Sequence, residues 1–211
     1  METNNRRNFL KSTGVLGAGM LLPHLNLAAC KPSPILYDNI HEFGKRKGYT
    51  NEIGILVSMM DWMRATVMRE VQGISQKELD YLLDTDSNSI GAMLMHLAGT
   101  ERYYQIDTFK GVDKKELSFD VSDEMWEAAS DLGNKGRALF KGKSASFYLD
   151  KFEEVREFSL NELKNRNDDW LYESTRFFGN RPTNNYCKWF HVVEHESNHN
   201  GQIRMVKKRA S

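Results

Sequence analysis

The sequence predicts an all-α protein: a helical bundle with an extra short helix and a long connecting loop. Apolar residues recur with a period near 3.6 residues over long stretches of the chain, as they do in amphipathic helices. No stretch alternates strongly between apolar and polar residues, which would be typical of a half-buried strand. Short connections between amphipathic segments of this length are typical of helical bundles.

The helical segments are bounded by residues that start and stop helices. Thr50 can cap the first long helix and Gly73 can end it, and Ser122 can cap a helix with acidic residues in its first turn. The stretch 167–181 has no helical spacing and predicts a long connection lying over the bundle. The predicted helices are 51–72, a short turn at 78–83, 87–110, 123–140, 146–165 and 183–209.

The N-terminus has the features of an export signal. Arg6 and Arg7 form a twin-arginine pattern ahead of a mildly apolar, glycine-containing stretch that is too short and interrupted to span a bilayer. That stretch ends at Leu27-Ala28-Ala29-Cys30, which resembles the site where bacterial lipoproteins are cleaved and lipidated. A cytosolic protein with a disordered basic tail is the alternative.

These signals divide the chain into a signal segment (1–29), a tether (30–48) and a helical bundle domain (49–211). They predict lipidation of Cys30 and a periplasmic or cell-envelope lipoprotein that meets the membrane only through this anchor.

Charge and cysteine content exclude several classes of function. The chain carries 29 basic and 29 acidic residues, so a nucleic-acid-binding surface is not expected. Two cysteines make no disulfide framework. If Cys30 is lipidated, Cys187 stands alone on a helix and is predicted to be a small buried residue.

Three histidines carry the chemical signal. His195 and His199 are four residues apart, so on a helix both imidazoles leave one face about one turn apart. His96 sits far upstream inside an otherwise apolar helical pattern. Together they predict a divalent metal site with three protein ligands and an open position.

Neutral imidazoles suit zinc, nickel and iron alike, so the metal is left open among these three. The open position could hold a water that is acidified to hydroxide, or a thiol that is held as thiolate. No catalytic acid or base can be assigned. His191 lies one turn before His195 and could be a fourth ligand, a hydrogen-bonding neighbour of the ligands, a general acid, or a structural residue.

The same residues resemble a known family. Ser89-Ile90-Gly91 leading into His96-Leu97-Ala98, then His191-Val192-Val193-Glu194-His195 with His199 and Gly201-Gln202-Ile203, closely resemble the DinB-like metal-binding four-helix bundles. The resemblance covers most of the chain after the signal. It implies an up-up-down-down bundle and a divalent metal bound by His96, His195 and His199.

Family members with known activities include thiol-S-transferases that use low-molecular-weight thiols and a mycothiol-dependent isomerase, and others are described only as metal-dependent hydrolases. The resemblance therefore implies an exported metal-dependent hydrolase or thiol-S-transferase acting on a small molecule. The alternative is a non-catalytic metal- or ligand-binding helical module. The expected partners are a small-molecule substrate or thiol and no nucleic acid, with a homodimer left open.

Overall fold

The computed structural model describes residues 39–113 and 115–210. The signal segment, Cys30 and the first part of the tether lie outside the described residues, so the predicted lipidation has no structural counterpart here. Within the described ranges, no helix combines the length and the apolar character needed to cross a bilayer.

Four long helices form the bundle, and the prediction of an all-α fold is confirmed. They are α1 (Asn51–Val71), α3 (Ile90–Thr108), α6 (Ala145–Lys164) and α8 (Asn185–Ala210). Shorter elements connect them: α2 (Gln76–Asp80), α4 (Asp123–Asp131), α5 (Gly133–Leu139), α7 (Asp168–Tyr172), strands β1 (Ser174–Arg176) and β2 (Pro182–Asn184), and 3₁₀ turns at Glu116–Ser118 and Phe178–Asn180.

Contacts between the helices give their directions. Trp189 bonds to Thr108 at one end of α3 while His195 meets His96 nearer the other end, so α3 and α8 are antiparallel. Arg64 of α1 bonds to Glu196 of α8, and further along both helices Lys207 donates to the carbonyl of Glu70. The two helices therefore run in the same direction, and α8 is parallel to α1.

The remaining pair, α3 and α6, is parallel. Gln105 donates to Ser159, while Gly91, near the start of α3, lies against Tyr148, near the start of α6. A Cβ on Gly91 would lie 2.6 Å from the Tyr148 ring, so only glycine permits this close approach.

The connectivity is therefore up-down-down-up, and the up-up-down-down order expected from the resemblance is wrong. The reason is the long connection between α3 and α6. Ala129 of α4 meets His96, and Gly133 at the start of α5 donates to Asn88 just before α3. Because α4 and α5 run back along α3, the chain returns to the level at which α3 began, and α6 then repeats the direction of α3.

The single helix predicted over 123–140 is also wrong. It breaks at Leu132, whose φ of 54° is in the left-handed region, and Gly133 follows with φ 57°. The break turns the chain into α5, which packs its Gly136 against Ala92 of α3. Two short helices can follow the surface of α3 where one straight helix would leave it.

The connection before α8 is more ordered than predicted. Residues 167–181 contain α7, the first strand and the turn of a small antiparallel hairpin in which Ser174 pairs with Asn184 and Arg176 with Pro182. Asp168 of α7 also caps α1, because its Oδ1 accepts from the Thr50 hydroxyl at 2.5 Å and from the Glu52 amide at 2.9 Å. Thr50 precedes α1 as predicted, but its side chain donates to Asp168 instead of capping the helix itself.

The centre of the bundle holds a buried group of four charges, one from each long helix, which we call the charge quartet. Its members are Arg64 of α1, Glu101 of α3, Arg156 of α6 and Glu196 of α8. Arg64 lies 2.7 Å from both carboxylates and Arg156 lies 2.8 Å from both. Two cations and two anions cancel, so the buried group carries no net charge.

Candidate metal centre

His96 is fixed on α3 by a contact to a neighbouring helix. Ser89 caps α3 by accepting a hydrogen bond from the Ala92 amide, so the helix begins about two turns before His96. Nδ1 of His96 lies 2.7 Å from the carbonyl oxygen of Ala129 on α4. Since only a protonated nitrogen can donate to a carbonyl, the lone pair of this imidazole is on Nε2, which faces α8.

His195 and His199 face His96 from one side of α8. Their ring centroids are 4.7 Å apart, and each lies 4.9 Å from the His96 ring. Nε2 of His195 is 2.8 Å from Nε2 of His96. One ring nitrogen from each of the three histidines lies within 4.8 Å of the others. We call these residues the histidine triad.

The surroundings keep the triad uncharged. Burial lowers the pKa of His96. Burial, reinforced by the other histidines, lowers the pKa of His195 to about 3 and that of His199 to about 4. Neutral imidazoles at neutral pH have free lone pairs, which is the state that a metal ligand needs.

The donor set fits a divalent metal ion. Three neutral imidazoles from two helices supply three nitrogen ligands and leave a fourth position without a protein ligand, as in catalytic zinc sites. In addition, Nδ1 of His199 is buried and lies within hydrogen-bond geometry of no described atom, while the Gln202 side chain is the neighbour that raises the pKa of this ring. A buried polar atom of this kind on a ring of the cluster is a feature that a bound ligand would satisfy. Ligation by the triad nevertheless stays a prediction.

His191 lies beside the triad and extends it toward solvent. Its ring is 5.1 Å from that of His195, and the Tyr104 hydroxyl lies 2.9 Å from its Nδ1. Burial raises the pKa of Tyr104, so the hydroxyl stays protonated and can donate. His191, Glu194 and His195 also bring ligand atoms within 4.8 Å of one another, but Glu194 is exposed and its carboxylate can stay hydrated.

Two buried carboxylates near the triad in sequence serve the charge quartet. Glu101 and Glu196 are buried against Arg64 and Arg156. Burial would raise the pKa of Glu101, but Arg156 and Arg64 hold it below its usual value. These carboxylates are occupied as ion-pair partners, and Glu196 therefore points away from His195.

Two aromatic residues that sequence reasoning did not single out for the site lie at its edge. They are Phe177 and Phe178, at the tip of the hairpin. Phe177 contacts the Tyr104 ring at 5.7 Å and Phe178 contacts the His191 ring at 5.4 Å. The only sequence signal for them was a pair of aromatic residues before a glycine and a proline, which indicates a turn but not where the turn lies.

The prediction that Cys187 is buried is wrong, because its side chain is exposed. The neighbouring Lys188 is buried instead. Its Nζ lies 2.7 Å from both the Asp107 carboxylate and the Thr175 hydroxyl, which satisfy the charge and leave the other face of α8, with Cys187, toward solvent.

Comparison with known families agrees with this arrangement. The family model described as mycothiol-S-transferase matches residues 55–210, which include all three histidines of the triad. A twin-arginine translocation pathway signal sequence matches residues 3–23 and marks the chain for export. No curated protein matches the chain.

Proposed function

The chain belongs to the DinB-like mycothiol-S-transferase family, and on this basis we propose that it is an exported, metal-dependent thiol-S-transferase acting on a small molecule at the histidine triad. The observation that carries the proposal is the convergence of three neutral imidazoles from α3 and α8, with ring centroids 4.7–4.9 Å apart. The proposed metal is zinc, nickel or iron.

His96, His195 and His199 would hold the metal. The Ala129 carbonyl fixes the His96 ring and its tautomer, a type of support that usually matters for metal affinity. A divalent ion held in this way supplies a Lewis acid and an open coordination position that favours the thiolate form of a thiol. A thiolate, formed when the thiol proton passes to solvent, is the nucleophilic form of sulfur. Its attack on an electrophilic carbon would form the carbon–sulfur bond as the bond to the leaving group, such as a halide, breaks and the leaving group departs with the electron pair.

The residues around the triad would limit access by water. Tyr104 and His191 close one side through their hydrogen bond, and Phe177 and Phe178 lie above them. Exclusion of water strengthens the electrostatic stabilisation of a thiolate near a cation.

A metal-dependent hydrolase is the second candidate. The same three-imidazole donor set would lower the pKa of a bound water to about 7. Export favours this candidate, because it separates the protein from the thiols of the cytosol.

An activity screen separates these candidates. The full chain, loaded in turn with Zn²⁺, Ni²⁺ and Fe²⁺, is assayed with mycothiol, cysteine and glutathione against a chromogenic aryl halide, and with a nitrophenyl ester and no thiol. We expect thioether formation with at least one thiol and a loss of about 100-fold in His195→Ala. The control is His41→Ala, since His41 is exposed and remote from the triad in sequence.

The outcomes discriminate between the activities. Ester hydrolysis without thioether formation would identify the hydrolase, and metal binding without either reaction would favour the non-catalytic module. Either result would contradict the proposed transferase.

The proposal includes a lipid anchor on Cys30 at the head of the tether, with the bundle domain beginning near residue 49. Its support is the cysteine at the end of a segment that begins with a twin-arginine signal. The wild-type protein should partition into the detergent phase of a cell extract, and Cys30→Ser should move to the aqueous phase. Recovery of both in the aqueous phase would rule out the anchor.

A further inference from the structure

The hairpin and the first turn of α8 line a shallow surface cleft of about 360 Å³ that is largely open to solvent, which we call the hairpin cleft. Phe178, Arg181 and Cys187 are among its lining residues. It lies beside the triad without containing any of its members.

The cleft is connected to the triad by ring contacts. Phe178 forms part of its wall and packs against His191 at 5.4 Å, and His191 in turn packs against His195 at 5.1 Å. A molecule lying on Phe178 is thus two ring contacts from a proposed metal ligand. Since 40 % of Phe178 is exposed, part of its ring is free to contact a ligand.

The cleft also holds a cation without a counter-charge. In the ranges 39–113 and 115–210, no carboxylate forms an ion pair with the Arg181 guanidinium. The other arginine of the hairpin, Arg176, instead donates to the Asn180 carbonyl and holds the turn. Arg181 is therefore available for a carboxylate or another planar anion, which a guanidinium binds through two parallel hydrogen bonds.

The cleft has a rigid wall. Buried Lys188 joins β1 to α3 by bonding to Thr175 and Asp107, and the Asn185 amide donates to the Glu173 carbonyl where the chain enters α8. The hairpin that carries Phe178 and Arg181 is thus fixed to the bundle at its base, and a ligand would not have to order it.

We infer that the hairpin cleft is a binding subsite for flat aromatic anions, with the ring on Phe178 and the anionic group on Arg181. The assignment of such molecules as substrates rests on the proposed function, since it makes the cleft the place where the electrophile is held beside the triad. Binding itself requires neither the metal nor turnover.

The test is a calorimetric titration of the full chain with 1-naphthoate. Phe178→Ala should weaken binding about fivefold, the loss of one aromatic contact, and Arg181→Gln should weaken it as well. The matched controls are Phe190→Ala, an exposed aromatic residue of α8 outside the lining, and Arg204→Gln, an exposed arginine near the far end of α8. Both controls should bind as the wild type does.

Two further probes define the ligand class. Cyclohexanecarboxylate, which lacks a flat ring, and 1-naphthylmethylamine, which lacks the negative charge, should both bind more weakly than 1-naphthoate. The inference would be overturned if naphthoate did not bind, or if Phe178→Ala and Arg181→Gln bound it as tightly as the wild type does. It would also be overturned if the cationic probe bound as tightly as 1-naphthoate.

His195→Ala separates this inference from the proposed function. It should lose metal-dependent turnover and keep naphthoate binding. If no variant or metal gives turnover but the naphthoate results hold, the transferase proposal fails and the subsite stands. If turnover is found and naphthoate does not bind, the subsite fails alone.

Discussion

The charge quartet draws one residue from each long helix and the histidine triad draws on α3 and α8, so the two groups share these two helices but pair their polar atoms differently. In the quartet, two arginines and two carboxylates form four ion pairs at 2.7–2.8 Å, and only Oε2 of Glu196 accepts no hydrogen bond from the described residues. In the triad, three neutral imidazoles converge, His195 Nε2 and His96 Nε2 share a hydrogen bond at 2.8 Å, and no carboxylate of the described chain pairs with the three rings. Glu196 and His195 are neighbours in sequence, yet Glu196 belongs to the quartet and His195 to the triad.

The difference distinguishes the charge quartet, which holds the bundle together, from the histidine triad, which can bind a ligand. Burial alone would lower the pKa of Arg156, and the carboxylates of Glu101 and Glu196 raise it above its ordinary value. Arg156 and Glu101 thus depend on their ion-pair partners for their charge. The triad histidines avoid charge altogether, so they can accept a cation that the quartet could not.

The largest effect should come from breaking the quartet. Arg156→Met leaves two buried carboxylates with one arginine and should lower the free energy of unfolding by about 3–5 kcal/mol. Urea denaturation measures this loss. The control is Lys110→Met, which removes an exposed ion pair to Glu173 and should change stability by no more than about 1 kcal/mol. Equal effects of the two substitutions would show that the quartet is not a stabilising unit.

Metal binding at the triad should be the next largest effect. Metal at about 100 times its dissociation constant should raise the free energy of unfolding by about 2.7 kcal/mol, because it binds the folded state. His96→Ala should abolish this increase, as judged from urea denaturation with and without Zn²⁺. An undiminished increase in His96→Ala would place the metal elsewhere.

The triad should also make the metal-free protein sensitive to acid. The pKa of His195 is about 3 and that of His199 about 4 in the fold, against an ordinary value of 6.5, so the unfolded chain binds more protons between these values. Stability is therefore greatest above pH 6.5 and falls as the pH drops toward about 4. The double variant His195→Ala/His199→Ala should lose less stability than the wild type between pH 7 and pH 5. A parallel loss in both proteins would contradict the burial of these imidazoles.

The smallest effect should come from the half-buried cap of α1. Asp168→Ala removes the acceptor for Thr50 and Glu52 and should lower the free energy of unfolding by about 1 kcal/mol, whereas Asp169→Ala, at an exposed neighbouring position, should have little effect. The Thr50 hydroxyl and the α1 amides lower the pKa of Asp168, so its contribution is present above pH 4 and disappears as the pH falls further. Equal stability of the two variants would show that the cap contributes nothing.

The sequence predicts the triad better than the quartet for a physical reason. The spacing of His195 and His199 is a local property of one helix, and His96 stands out as a polar residue in an apolar pattern. A charged residue in an amphipathic helix normally faces solvent, so Arg64 and Arg156 gave no signal of burial. Their burial depends on partners on other helices, which periodicity does not reveal.

The same distinction applies to the fold. The four long helices follow from periodicity, and their ends lie within a few residues of those predicted. The break at Leu132 and the cap from Asp168 do not follow, because one needs an unusual backbone angle and the other a residue more than one hundred positions away. The direction of α6 follows from a connection that runs back along α3, and periodicity does not give the direction of a connection.

The most direct test of the triad is X-ray absorption spectroscopy of the metal-loaded full chain at the metal edge. The account predicts three imidazole nitrogens at about 2.0–2.1 Å for zinc, one light atom in the remaining position, and two imidazoles in His96→Ala. A sulfur ligand, or the same number of imidazoles in wild type and His96→Ala, would show that the three histidines do not form one centre.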